Sequence, residues 1–225
     1  MMQTKVIIFG SSYQANVIFS ELKNFKKFRV IGFCDDKVPI NKLINNKYKL
    51  KNLGKFKEIS KKINNNIKVI IGIGENKIRK KIVRECSAIN KKFKWISLVS
   101  KNAIIDKNVT IGEGSIILSG SIIRNDVKIG NHCLINSSCS IDHDTIISNF
   151  SSCGPGVITG GNVFLGDSSF VGIGSTIKHS IKIDQNVFIG GHSYVNKNCK
   201  RFLILWEPYK KNKKDISNEV SILRI

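Results

Sequence analysis

The sequence predicts an α/β half joined to an all-β parallel β-helix, and three observations carry that expectation. Up to residue 97, short apolar runs alternate with amphipathic helical stretches. From Val99 onward an aliphatic residue returns at every sixth position. That second series runs without an inserted loop, so its coils must stack continuously.

The elements follow in order. KVIIF at 5–9 ends at Gly10 and leads into NVIFSELKNF, whose apolar residues fall at helical spacing. FRVIGFCDD at 28–36 ends in two acids. IKVIIGIG at 67–74 leads into ENKIRKKIVRECSAI, where Ile78, Ile82, Val83, Cys86 and Ile89 share one helical face. FKWISLV closes the series as a fourth strand. Such alternation builds a Rossmann-like parallel sheet with ligands expected beyond the carboxyl ends of its strands, where Gly10, Asp35, Asp36 and Gly74 sit.

Stepping by six from Val99 to Val195 gives seventeen positions, of which fifteen are Ile, Leu or Val; the others are Cys153 and Thr159. Four places after each comes Ala, Val, Ser, Cys, Thr or one Ile, and Gly follows the aliphatic residue at 112, 130, 154, 160, 166, 172 and 190. The reading is a left-handed parallel β-helix of triangular section. Each hexapeptide makes a short strand and a corner, the aliphatic residue fills the axis, and Gly supplies the turn. Residues 18 apart then stack, at about 4.8 Å per rung. The expected organisation is a nucleotide-binding domain at 1–97, the β-helix at 98–202, and a cap and tail at 203–225.

Composition narrows the function classes. The net charge of +21 comes almost wholly from Lys, which is inflated together with Asn and Ile along the whole chain and forms no basic helix or aromatic-interleaved stripe. Nucleic acid is therefore not the expected partner, whereas phosphate-bearing small molecules suit the field. No apolar run approaches membrane-spanning length and the N-terminus lacks a signal-peptide pattern, which predicts a cytoplasmic protein. The six cysteines contain no CxxC; Cys133, Cys139 and Cys199 fall on the small-residue position and Cys153 on the aliphatic one, so they read as core fillers.

A prism of this kind has no cleft of its own, and its flat faces suit pairing with copies about a three-fold axis, with a site in the groove between subunits. His143, between Asp142 and Asp144 in CSIDHDTI, takes the third hexapeptide position and points outward. Stacked 18 residues later is Gly161, which leaves open space over the imidazole. A histidine with an adjacent carboxylate meets the needs of a general base, because the acid raises its basicity and fixes its tautomer. The alternative is a solvated histidine between two solvated acids. His143 and His179 are two coils apart, about 9.6 Å, too far for one ion. No third histidine follows His179 five places on, where position 184 is Asp, and no metal is expected.

An α/β half carrying FCDD and GIGENKIRKKI, followed by a hexapeptide β-helix carrying IDHDTIISNF and GPGVITGGNVFLGDSSFVGIGS, resembles over residues 3 to about 211 the bacterial sugar acetyltransferases that include UDP-4-amino-sugar N-acetyltransferases and sialic acid O-acetyltransferases. The resemblance implies transfer of acetyl from acetyl-CoA to the amine of a nucleotide-linked amino sugar by a homotrimer, in surface glycan biosynthesis. His143 would be the catalytic base and Asp144 its acidic partner, with backbone N–H groups of the rung above as oxyanion donors. Coenzyme contacts would fall on Ser152, Gly161, Ile173 and Gly191. The nucleotide sugar would meet Ser12, Tyr13 and Gln14 after the first strand, Asp35 and Asp36 after the second, and Gly74, Asn76 and Arg79 after the third.

The sequence departs from that family at three places. The first turn keeps only Gly10 where a Gly-His pair is usual, Ser152 stands where a second histidine is usual, and WEPY at 206–209 replaces a Gly-x-Pro-Ala. Trp206 and Tyr209 would cap the prism or stack on the coenzyme's base. Two other readings remain open at this point: O-acetylation of a sialic-acid-like sugar, and a non-catalytic prism that binds nucleotide sugars.

Overall fold

In a computed structural model, residues 3–64, 66–90, 94–200 and 204–205 are described. Strand β1 (Thr4–Phe9) is followed by α1 (Tyr13–Lys23), β2 (Phe28–Cys34), a hairpin of β3 (Leu43–Asn45) and β4 (Leu50–Lys51), α2 (Phe56–Lys62), β5 (Ile67–Ile71) and α3 (Asn76–Ile89). The parallel sheet has the order β2-β1-β5. Val6, Ile7, Ile8 and Phe9 of the central strand are all buried, as a parallel strand covered on both faces requires. Gly72 lets α1 approach the sheet: a Cβ there would stand 2.8 Å from Ala15 Cα.

The expected fourth strand divides. Trp95 bridges to Val69 at the sheet edge, while Leu98–Val99 pairs with Ile116–Ile117 as the first rung of the second half. Its apolar run is long enough to serve two structures, with Ile96 and Ser97 between them. Helix α3 also differs from expectation. Its buried side carries Asn76 and Arg79 with Ile82, Val83 and Cys86, whereas Ile78 is 41% exposed and Ile89 37%.

The second half is a parallel β-solenoid of about five turns, consistent with the expected left-handed β-helix. Seventeen two-residue strands from Leu98–Val99 to Tyr194–Val195 fall into three sheets, each strand pairing in parallel with the one 18 residues later. A further strand, Ile204–Leu205, extends the first sheet to seven, beside sheets of six and five. Ile117, Ile123, Ile129, Ile135, Ile141 and Ile147 form the axis, with Cys133, Cys139, Cys153 and Cys199 in the same core. All six cysteines are free and buried, and burial pushes the Cys133 and Cys139 thiols up to about 11.

Serine at the small-residue position stitches rung to rung. Ser169 Oγ donates to Asp184 O at 2.7 Å and accepts from Val187 N at 3.0 Å; Ser115 and Ser175 do the same one rung on. A buried hydroxyl is thus satisfied at both ends. The turn, however, is not made by the glycine after the aliphatic residue. The left-handed residue lies two places further on, as at Asp126, His132, Ser138, Asp144, Phe150 and Asn162. The earlier glycine admits the next coil: a Cβ on Gly172 would lie 2.5 Å from the Gly190 carbonyl carbon.

The first sheet docks on the α/β half. Its outward residues Leu98, Ile116 and Leu134 join Ala15, Ile18, Phe19 and Leu22 in one core cluster. Two of the flat faces remain open, and Ile104, Ile158 and Tyr194 on the six-stranded sheet are 57%, 48% and 64% exposed.

Candidate active site

His143 occupies the corner between Ser140–Ile141 of the six-stranded sheet and Ile146–Ile147 of the five-stranded one. Asp144 follows it at φ 57°, a left-handed conformation that Asp tolerates, and this turn brings the carboxylate back onto the imidazole. His143 Nδ1 donates to Asp144 Oδ2 at 2.8 Å. A carboxylate only accepts, so Nδ1 carries the proton and Nε2 presents its lone pair. Asp142 Oδ1 accepts from the His143 amide at 2.8 Å. The hydrogen bond to Asp144 and the charge of Asp142 hold the imidazole above its ordinary pKa.

Gly161 does not leave empty space over the ring. A Cβ there would lie 2.5 Å from both Cε1 and Nε2, so the imidazole itself fills the place a side chain would need. The Gly161 amide makes no hydrogen bond among the described residues. Ile173, 53% exposed, and exposed Gly191 lie at another corner, between the seven-stranded and six-stranded sheets. They flank the same six-stranded face as His143 from its opposite edge. One side of the triangular section, a hexapeptide long, separates the edges, about 15 Å.

Ser152 is the largest displacement from expectation. It lies on the sheet under α3, 1% exposed, and donates to Asn76 Oδ1 at 2.6 Å while accepting from Arg79 Nη2 at 2.9 Å. Asn76 and Arg79, expected at the nucleotide, belong to the same cluster. Asn76 Nδ2 donates to Ser168 O and Ser169 O at 3.2 and 2.9 Å. Arg79, 1% exposed, reaches His132 O at 2.9 Å, Ile73 O at 3.0 Å, Gly74 O at 2.8 Å and Phe150 O at 3.0 Å. Burial lowers its pKa to about 10, which leaves it charged at neutral pH. The three side chains clamp the domains together, and protein groups occupy their polar atoms.

The carboxyl ends of the sheet strands hold the other expected residues. Ser12 is exposed at the start of α1, Tyr13 is 92% exposed, and Gln14 Nε2 is buried without a partner. Asp35 Oδ2 accepts from Ser11 Oγ at 2.6 Å, while Asp36 Oδ1 accepts from the Phe56 amide at 2.7 Å and so caps α2. A Cβ on Gly74 would meet nothing within 4 Å, so space is open beside it. Ser11 and Asn52 were not legible as site residues. Fully buried Asn52 pins the acidic loop, accepting from the Asp35 amide at 3.0 Å and donating to Val38 O at 2.6 Å. Only Ser11, next to Gly10 at a strand end, carried a usable signal.

His132 also escaped notice. It is 6% exposed, stacks on Phe150 at 5.1 Å and meets Trp95 edge-on at 5.4 Å. Burial and the Arg79 charge lower its pKa to about 4. Among the described residues no group of three or more His, Cys, Asp or Glu is placed to hold a metal, and no helix is long and apolar enough to cross a membrane. Trp206, Tyr209 and the basic tail lie outside the described residues.

Comparison with known proteins agrees with this architecture. Residues 5–86 match the family model of the PglD N-terminal domain. No curated protein matches over the sequence. The acetyltransferase domain of PglB from Neisseria gonorrhoeae superposes with a TM-score of 0.82 at 18% identity, covering 90% of this chain and 96% of that one. PerB from Caulobacter crescentus, in complex with CoA and GDP-perosamine, gives 0.77 at 21% identity over 89% and 92%. WeeI from Acinetobacter baumannii gives 0.75 at 20% identity over 91% and 96%. The N-terminal unit thus matches the PglD N-terminal domain, and about nine-tenths of the chain shares its two-part fold with these three structures.

Proposed function

We propose that this protein is an acetyl-CoA-dependent N-acetyltransferase acting on the amine of a nucleotide-linked amino sugar. The observation that carries the reading is the oriented pair at the open edge: Asp144 holds His143 Nδ1–H at 2.8 Å and leaves Nε2 free as a base. The amine nitrogen attacks the thioester carbonyl carbon, and His143 Nε2 takes the proton it sheds. The carbon–sulfur bond then breaks, and the same proton passes to the departing thiolate. The Gly161 amide, which makes no hydrogen bond among the described residues and packs on the imidazole, is a donor for the developing oxyanion.

Ile173 and Gly191 stand across a face from His143, so the coenzyme groove takes one edge from each of two copies. The exposed Ile104, Ile158 and Tyr194 suit the packing of that face in a homotrimer. Asp35, with Ser11 and open Gly74, would receive the nucleotide.

The test is thiol release from acetyl-CoA with UDP-, GDP- and dTDP-linked amino sugars, GDP-perosamine first because the PerB complex contains it. Turnover with one of them, lost on His143→Ala by roughly 10²-fold or more, is the expected result. No turnover with any would overturn the reading, and acetylation of a free sialic-acid-like sugar instead would replace it.

A further inference from the structure

Helix α3 presents Lys77, Lys80, Lys81 and Arg84 along one face, at i, i+3, i+4 and i+7. That face looks across a groove of about 390 Å³ onto Ser168 and Asn186 of the solenoid. These two are stacked corner residues in left-handed conformation, and Lys80 Nζ reaches Ser168 Oγ at 3.1 Å. Among the described residues Glu85 is the only acid lining the groove, and Lys57 at 3.5 Å and Lys81 at 4.0 Å already share its carboxylate. Every other lining side chain is a hydrogen-bond donor. Lys77 and Lys80 sit in the first turns of a 14-residue helix, where the backbone dipole adds positive potential.

We propose that this groove is a binding site for a diphosphate-bearing ligand, separate from the His143 edge. The cationic face extends over about 10 Å, a length that matches two or three clustered phosphates and is too short to track a polymer. It lies at the corner between the five-stranded and seven-stranded sheets, so a bound anion bridges α3 and the solenoid. A nucleoside diphosphate and the 3′-phospho-ADP end of coenzyme A both carry the required chemistry. Its charge and geometry are independent of acyl transfer.

The test is calorimetric titration of the full chain with inorganic pyrophosphate. Lys77→Gln with Arg84→Gln removes two exposed cations that form no ion pair among the described residues. Saturable binding that weakens with salt, and by about tenfold in this double variant, is expected. The pair Lys27→Gln with Lys101→Gln, which lies against Phe25 after α1 and away from α3, should leave it unchanged. Absence of saturable binding, or equal weakening in both double variants, would overturn the site in favour of diffuse attraction to a basic protein. Parallel titrations with ADP and with coenzyme A distinguish the sources, because the native occupant is the one that loses affinity along with pyrophosphate.

Discussion

His143 is exposed, so its chemistry is set by its two neighbours and not by burial. Its raised pKa means that the imidazole keeps its proton to higher pH, and a protonated imidazole is no base. The acidic limb of kcat/KM should therefore report this group, with activity lost as pH falls through the raised pKa. In Asp144→Asn the left-handed turn survives, since Asn tolerates it as well, but the charge goes. The limb should then move to lower pH. At the same time the amide can donate to Nδ1 and favour the tautomer that blocks Nε2, so the plateau should fall by on the order of 10²-fold. A pH profile of both proteins checks this, and an unmoved limb would remove Asp144 from its assigned part.

Helix α3 is held to the solenoid by a charge with no carboxylate beside it. Arg79 is stabilised by carbonyl dipoles from three segments, which its planar fork meets together and a Lys ammonium would not. Arg79→Lys should therefore cost on the order of 2–4 kcal/mol, since it leaves several buried acceptors unmet. Urea unfolding followed by tryptophan fluorescence reads this. The neighbouring His132 adds a pH term that comes mainly from burial of a neutral imidazole. With a folded pKa near 4 against an ordinary value of 6.5, the unfolded chain binds the extra proton first. Stability should fall as pH drops from 6.5 toward 4, by on the order of 3 kcal/mol in all. In His132→Phe this part of the slope should vanish, because Phe150 shows that the left-handed corner accepts a phenyl ring at φ 59°. A slope equal to that of the wild type would show that other groups carry it.

The solenoid was readable because every coil repeats one environment: Ile117, Ile123 and Ile129 each meet the same axis, so one hexapeptide predicts the next. His143 and Asp144 were readable for the opposite reason, being charged residues in an aliphatic run. Ser152, Asn76 and Arg79 were not, since their bonds join residues more than 70 positions apart and depend on how the halves dock. A hexapeptide pattern places an outward residue on a sheet without saying what covers that sheet. The same limit applies to the proposed site, whose edges the pattern places at opposite sides of one face. His143 and Gly161 on one edge, and Ile173 and Gly191 on the other, are about 15 Å apart in a single chain. An enzyme that uses both must draw them from two copies. That consequence is measurable by complementation. His143→Ala lacks the base and Gly191→Trp fills the coenzyme edge, so each alone should be inactive. Co-expressed in equal amounts and randomly assembled, they should form some sites with an intact edge from each parent, about a quarter of the total by random pairing. Thiol release from acetyl-CoA near that fraction of wild type is expected. A mixture as inactive as its parents would place the whole site within one chain.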